Sequence, residues 1–371
     1  MTMQSIREPD EGASPSIQNR MISRSQRPSA HALVTGGGGF LGRYIVEQLL
    51  QRGNRVTVFA RGNYPELVAQ GVRLVRGDLR DRDAIVRACQ GVQIVYHVAA
   101  KAGLWGPWDD FYTVNVIGTE NVIAACQING IARLVFTSSP SVIFDGHDQQ
   151  GLNEDVPYPA HYESPYPATK ALAEQMVRSA NSETLMTVSL RPHLIFGPRD
   201  NHLLPALIAR ARKGLVPQVG DGSNKVDLTY VEDAAYAHLL AADALQLGSP
   251  AVGPPGHGHV YFISQGEPVV LWQWIADLLR RLELPPVRLK LPLAAARGLG
   301  AAMTAMYRWL KLPGEPPLTP FLASELAQHH YYDISRARDE LAYAPRFTMQ
   351  EATERTIQWL RQQHIGADPT H

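Results

Sequence analysis

An α/β fold built on a doubly wound parallel sheet is what the sequence predicts, on three observations. Short, nearly uniform apolar runs alternate with segments of helical spacing through the first half of the chain. Strands buried on both faces read as such runs, and strand–helix alternation belongs to parallel sheets covered on both sides. Four consecutive glycines, Gly36 to Gly39, stand where the first strand hands over to the first helix. The 371 residues suffice for one large α/β domain with a smaller, mostly helical C-terminal part.

The elements follow in order. Residues 32–35 form a short apolar strand that stops at glycine. Residues 40–51 carry Leu41, Ile45, Leu49 and Leu50 at helical spacing. Further strands are predicted at 55–60, 72–75, 93–97, 133–137 and 187–190, with helices at 82–90, 111–127 and 166–180. Beyond Gly197 the alternation loosens. Gly253-Pro254-Pro255-Gly256 is a turn-rich break, and a proline-rich interruption spans 312–320. Residues 1–30 lack apolar periodicity and read as a disordered tail. The division predicted is 31–197 for the core, 198–361 for an interleaved second part, and 362–371 for a C-terminal tail.

Composition excludes several classes. With 35 basic and 35 acidic residues the chain lacks the basic surplus of a nucleic-acid binder. The two cysteines, Cys89 and Cys126, fall in helical stretches and read as small buried residues; a disulfide or metal pair is not expected, and a cytoplasmic location fits. No apolar run has the length of a membrane span. The N-terminal charges have no apolar stretch behind them, as a secretory signal requires, and Glu8, Asp10 and Glu11 argue against a transit peptide.

Thr35-Gly36-Gly37-Gly38-Gly39-Phe40-Leu41-Gly42 follows a strand and opens a helix, the setting of a dinucleotide phosphate turn. Glycines let the backbone approach a pyrophosphate, and the helix N-terminus presents free N–H groups and partial positive charge. Two spacings fit: Gly37, Gly39 and Gly42 match G-x-G-x-x-G, and Gly36, Gly39 and Gly42 match G-x-x-G-x-x-G. The second strand ends Phe59-Ala60-Arg61-Gly62 without the acid that binds the ribose hydroxyls of NAD. Arg61 suits a 2′-phosphate, so NADP(H) is expected over NAD(H). Asp78-Leu79 is expected beside the adenine.

Tyr166-Pro167-Ala168-Thr169-Lys170 puts a tyrosine and a lysine four apart on one helical face. Reducing a ketone requires a proton for the developing alkoxide. A neighbouring ammonium should pull the phenol down from its usual value near 10. The fifth strand ends Phe136-Thr137-Ser138-Ser139, and Ser139, with Ser138 second, is placed to donate to a substrate carbonyl. Asn115 is expected to hold the long helix or the cofactor ribose. Such a set implies a Rossmann core that transfers hydride, with the C-terminal part capping the substrate.

With these pieces the sequence resembles the extended short-chain dehydrogenase/reductases. The resemblance is carried by residues 35–42, Asp78-Leu79, residues 97–100, 115–119, 137–139 and 166–170, Arg191-Pro192, Gly197-Pro198, residues 230–234, and 332–345. Within that superfamily it resembles the 3β-hydroxysteroid dehydrogenase/isomerase branch. It is most similar there to the bacterial 2-alkyl-3-oxoalkanoate reductase group of long-chain olefin biosynthesis, through residues 99–106, 200–205, 219–222 and 312–319. The resemblance implies NADPH-dependent reduction of a 2-alkyl-3-oxo fatty acid to the 3-hydroxy acid. Tyr166 would protonate the oxygen, Lys170 hold the ribose and Ser139 orient the carbonyl. Gly36, Gly39, Phe40, Leu41, Gly42, Arg61, Asp78, Leu79, Ala99, Ala100, Asn115 and Pro192 would contact cofactor. Lys101, Trp105, Asn201 and His202 would contact substrate. It also implies a homodimer through the helices near 111–127 and 166–180, with a place in a biosynthetic complex open.

Residues 291–312 are rich in Leu, Ala, Met and Trp, with Arg297, Arg308 and Lys311 as their only charges. The stretch reads as a lid over a lipid-like substrate, a peripheral membrane contact, or a plain core or dimer helix. Trp105 and Trp108 are candidates to line an apolar pocket. Two rival functions are a steroid or sterol 3β-dehydrogenase and a non-catalytic dinucleotide-binding scaffold or sensor. A sugar-nucleotide epimerase fits less well; dehydratases of that group carry an acid pair where Pro140 and Ser141 stand here.

Overall fold

The protein is described here by a computed structural model covering residues 30–365; residues 1–29 and 366–371, which include most of the two expected tails, lie outside the described residues. The first five strands are β1 (His31–Thr35), β2 (Arg55–Ala60), β3 (Arg73–Arg76), β4 (Ile94–His97) and β5 (Arg133–Thr137). With β6 (Met186–Pro192) and β7 (His259–Ile263) they build a seven-stranded sheet in the order β7-β6-β5-β4-β1-β2-β3. Every pairing in it is parallel. β1, β4 and β6 are buried along their whole length; β1 and β4 read in the sequence as mainly apolar runs, whereas β6 alternates apolar residues with Thr187, Ser189 and Arg191. The order reverses between β1 and β4. Ligands of such sheets bind outside the carboxyl ends of the strands at that switch point.

The division at residue 197 needs correction in both directions. β7 comes from the second half of the chain yet completes the core sheet against β6. Its run, His259-Val260-Tyr261-Phe262-Ile263, is only five residues long and has no helix behind it at the expected spacing. Conversely, strand Gln149–Leu152 leaves the core to pair with His330–Tyr332 in a separate four-stranded sheet of the second part. The second part has its own core, in which Phe196, Leu228, Tyr230, Trp272, Leu278 and Leu360 pack together. Its last helix, Met349–Ile365, continues past residue 361.

The predicted helix 111–127 is interrupted. Trp108–Tyr112 and Gly118–Ile128 are α-helical, and Thr113–Ile117 between them forms a π turn. Such widened turns recur at functional sites, and this one carries Asn115. Close packing accompanies it: a Cβ on Gly118 would stand 2.9 Å from that of Leu79. Cys89 and Cys126 are both buried free thiols. Burial pushes the Cys89 thiol up to about 12, so it stays protonated and packs as a small apolar group.

Candidate active site

The carboxyl ends of β1, β2, β4, β5 and β6 open into a cavity of about 600 Å³. Its floor is the glycine turn. Gly36, Gly39 and Gly42 face it, whereas Gly37 and Gly38 do not. A Cβ on Gly37 would strike Val58, and one on Gly38 would strike the Tyr64 ring. The operative spacing is therefore G-x-x-G-x-x-G. Gly36 has φ +69° and leaves 2.9 Å between a Cβ and the Ala99 backbone; a Cβ on Gly42 would lie 2.3 Å from the Gly36 carbonyl oxygen. Only glycine permits a turn this tight. Helix α1 (Phe40–Gln51) begins at Gly39 with no side chain capping it, so its first N–H groups stay free for an anion. A dinucleotide fits this cradle, and the free N–H groups of α1 would hold its pyrophosphate.

The walls are set by buried polar contacts. Thr35 donates its hydroxyl proton to Nδ1 of His97 (2.8 Å), and Nε2 of His97 donates to Thr119 Oγ1 (2.9 Å). Thr119 in turn donates to the Asn115 carbonyl (2.6 Å). This assigns the neutral Nε2–H tautomer, in keeping with a pKa that burial pulls down to about 3. Thr35 Oγ1 also accepts from the backbone of Val98 and Ala99 and so shapes the strand end that lines the cavity.

Phe40, Leu41, Arg61, Asp78, Leu79, Ala99, Ala100 and Pro192 all line the cavity. Arg61 is exposed at the lip. Asp78 is less free than expected. Arg80 donates to both its oxygens (3.0 and 2.7 Å) and holds the carboxyl at about 2. Asn115 does not line the cavity, which corrects its placement as a cofactor contact. Its amide accepts from Lys101 N (2.7 Å) and donates to Lys101 O and to Thr169 Oγ1 (3.1 and 3.0 Å). It ties the loop after β4 to the helix of Tyr166 and acts as a positioning residue.

Helix α2 (Pro165–Ser179) starts one residue before Tyr166. Tyr166, Lys170, Ser139 and Ser138 meet at the inner end of the cavity. The Tyr166 phenol stands beside Ser139, whose Oγ lies 2.9 Å from that of Ser141. Lys170 is buried; it donates to the Thr137 carbonyl (2.6 Å) and sits 4.0 Å above the Phe136 ring. Burial draws its pKa down to about 7, opposed by Glu174 one turn on. The expected depression of the phenol by Lys170 is not found in this arrangement. Burial raises Tyr166, only Ser139 opposes it, and the ammonium is engaged on Thr137. A group that stays protonated at neutral pH suits proton donation, the direction a reduction needs.

Sequence reasoning missed what holds α2 in place. Arg191, at the end of β6, forms a bidentate pair with Glu174 (2.9 and 2.6 Å), to which Tyr158 also donates (2.6 Å). Both partners are buried, at 1% and 0% exposure. Burial alone would push Glu174 up, but Arg191 outweighs it and holds the carboxyl below its usual value. The available signal was a charge in each of two otherwise apolar patterns.

Of the expected substrate contacts only His202 lines the cavity, beside Asp200, Leu194 and Ile195. Asp200 accepts from the backbone of His202 and Leu204 and so fixes that loop (2.8 and 2.9 Å). Asn201 is exposed and does not line the cavity. Lys101 pairs with Asp110 (3.2 Å) and faces a side pocket of about 380 Å³ shared with Arg61 and Arg80. Trp105 lies under Arg308 (5.5 Å), and Trp108 stacks on Tyr112 (5.9 Å). Lys101 and Trp105 belong to the loop after β4, whose path no local pattern encodes. Among the described residues no group of three or more His, Cys, Asp or Glu could hold a metal ion.

Comparison with known proteins agrees with this geometry. Residues 33–293 match the 3-beta hydroxysteroid dehydrogenase/isomerase family. A 2-alkyl-3-oxoalkanoate reductase of Stenotrophomonas maltophilia is 47% identical over 87% of this chain and 97% of its own. One from Shewanella oneidensis is 44% identical over 88% and 85%. The human sterol-4-alpha-carboxylate 3-dehydrogenase, decarboxylating, is 36% identical over 94% and 92%. Among solved structures, a Thermus thermophilus UDP-glucose 4-epimerase in complex with NAD superposes with a TM-score of 0.64 at 28% identity, over 89% of this chain and 99% of that one.

Proposed function

The chain belongs to the 3-beta hydroxysteroid dehydrogenase/isomerase family, and from that premise we propose that it uses NADPH to reduce the 3-keto group of a 2-alkyl-3-oxo fatty acid to the 3-hydroxy acid, in the cytoplasm and as a step of long-chain olefin biosynthesis. It is an oxidoreductase. The observation that carries the substrate reading is the pair of reductase relatives at 47% and 44% identity, each aligned over most of its length. The cavity supports it by joining the glycine turn to Ser139, Tyr166 and Lys170 in one continuous space.

When bound, a nicotinamide cofactor would supply the hydride. The chain's own groups handle binding, orientation and the proton. The N–H groups of α1 hold pyrophosphate, and Lys170, which spends one of its three donors on Thr137, has others for a ribose hydroxyl. Ser139 Oγ donates to the carbonyl oxygen, and Tyr166 delivers its phenolic proton to that oxygen as negative charge develops.

The relatives' names share one piece of chemistry. In a 2-alkyl-3-oxoalkanoate the reacting oxygen stands β to a carboxylate, as it does on a sterol bearing a 4-carboxylate and reacting at C3. His202, which lines the cavity, would receive such a carboxylate. The sterol reading is the alternative, favoured by the human relative's alignment over 92% of its length. Cofactor turnover with 2-alkyl-3-oxo acids of graded chain length, set beside 4-carboxysterols and plain steroids, separates the two. NADPH oxidation by the acyclic acids is expected; turnover confined to sterols overturns the proposal.

Arg61 carries the choice of NADPH over NADH. A charge-assisted bond to phosphate contributes about 1.5–3 kcal/mol, or roughly 10- to 100-fold in affinity. Arg61→Ala is expected to weaken NADPH by that amount and NADH by no more than about twofold, measured by fluorescence titration. Equal losses for both would make Arg61 a bystander.

A further inference from the structure

We propose that Ser141 is a positioning residue for the reaction: its hydroxyl and its backbone N–H both donate to Ser139 Oγ and so aim the single Ser139 proton at the substrate carbonyl. This role rests on Ser139 as the carbonyl donor, and it belongs to a residue outside the cavity. The local sequence builds the arrangement. Ser139 follows β5 in extended backbone (φ −155°, ψ 146°) and caps the short 3₁₀ helix Pro140–Ile143. Pro140 has no N–H to offer. The first free amide of that turn is therefore the one on Ser141, and it donates to Ser139 Oγ (3.3 Å). The Ser141 side chain returns to the same atom, with 2.9 Å between the two Oγ atoms. Ser139 lines the cavity with Tyr166 and Lys170, whereas Ser141 stands behind it, half-buried, and does not.

A serine hydroxyl carries one proton and two acceptor lone pairs. The Ser141 N–H fills one lone pair of Ser139. The two hydroxyls then have a choice of direction. If Ser139 donates to Ser141, its only proton turns away from the cavity and the carbonyl oxygen meets a lone pair. If Ser141 donates to Ser139, both lone pairs of Ser139 are filled and its proton is left for the cavity. Only the second direction lets Ser139 donate to the charge that develops on the substrate oxygen. It also bars Ser139 from accepting the Tyr166 proton, so both protons converge on that oxygen. A donor that is itself accepting hydrogen bonds is polarised along the chain and donates more strongly. A donor aimed before the reaction needs no reorientation as charge builds. Pro140 and Ser141, which set this chain apart from the acid-bearing dehydratases, thus act together: the proline clears the first amide of the turn and the serine fixes the proton.

Steady-state kinetics of the full chain, with whichever substrate of the assay above it turns over, test this. Ser141→Ala is expected to lower kcat about tenfold, with KM and cofactor affinity within about twofold. Ser141→Thr keeps the hydroxyl and should stay within about threefold of the parent chain. Ser141→Cys, whose thiol donates weakly, should repeat the loss if the alanine variant does not fold. Ser139→Ala should cost roughly a hundredfold. Ser139→Ala combined with Ser141→Ala should cost no more than Ser139→Ala alone, because Ser141 acts only through Ser139. A merely structural role would instead give multiplying losses and a lower urea midpoint. Parent-level turnover in Ser141→Ala, multiplying losses in the double variant, or a Ser141→Thr chain no faster than Ser141→Ala each overturn the proposal and leave the reductase assignment standing. Undiminished turnover in Ser139→Ala overturns it together with the role of Ser139 as carbonyl donor.

Discussion

Tyr166→Phe is expected to lower turnover about a thousandfold while NADPH affinity stays within about twofold. The substitution removes one oxygen and keeps the ring, so the shape of the cavity end is preserved. That oxygen stands beside Ser139, and burial keeps its proton on at neutral pH. Loss of a positioned general acid costs between a hundredfold and ten thousandfold in typical cases. Cofactor contacts lie along the glycine turn and the strand ends and do not depend on the phenol. Steady-state kinetics with a separate NADPH titration reads both quantities. Undiminished turnover would remove Tyr166 from the chemistry; a parallel loss of cofactor affinity would recast it as a binding residue.

Glu174→Gln is expected to be the most destabilising single change at the site. It leaves the Arg191 guanidinium buried at 1% exposure without its countercharge. Breaking a buried pair in this way costs roughly 3–5 kcal/mol. A urea unfolding curve should shift by that amount, and Glu174→Met combined with Arg191→Met should recover much of it, because two apolar residues leave no orphaned charge. A loss below about 1 kcal/mol for Glu174→Gln would show that the pair is solvated on opening and does not hold α2. The pair spans α2 and β6, so its loss should also loosen Lys170 one turn away and raise the KM for NADPH.

The catalytic features that were legible in the sequence are local. A glycine turn between a strand and a helix, and a tyrosine and lysine four residues apart, are both set by the pitch of the chain. So is a serine that ends a strand, because parallel strands all present their carboxyl ends to one crevice. What escaped depends on distant partners. His97 meets Thr35 across 62 positions, and Arg346 and Gln265 reach Asp233 from other elements altogether. β7 was missed because its partner β6 lies far upstream and the strand–helix alternation that marked the other strands has loosened there. Lys101, Trp105 and Asn201 were expected at the substrate and lie elsewhere, since the loops that carry them follow no period.

By itself the sequence determined the doubly wound sheet, the glycine turn between its first strand and first helix, and the tyrosine, lysine and serine proposed to handle the proton. Periodicity and strand-to-helix junctions encode each of these within a few residues. Only the tertiary structure decided which three glycines face the cavity. It also decided between the two roles open for Asn115 in favour of a brace, set Lys170 on the Thr137 carbonyl, and left one half of the helix Leu293–Leu310 bare. Those outcomes depend on which side chains the fold brings together across long stretches of chain. Burial and charge at such meetings, more than residue type, set what each group can do.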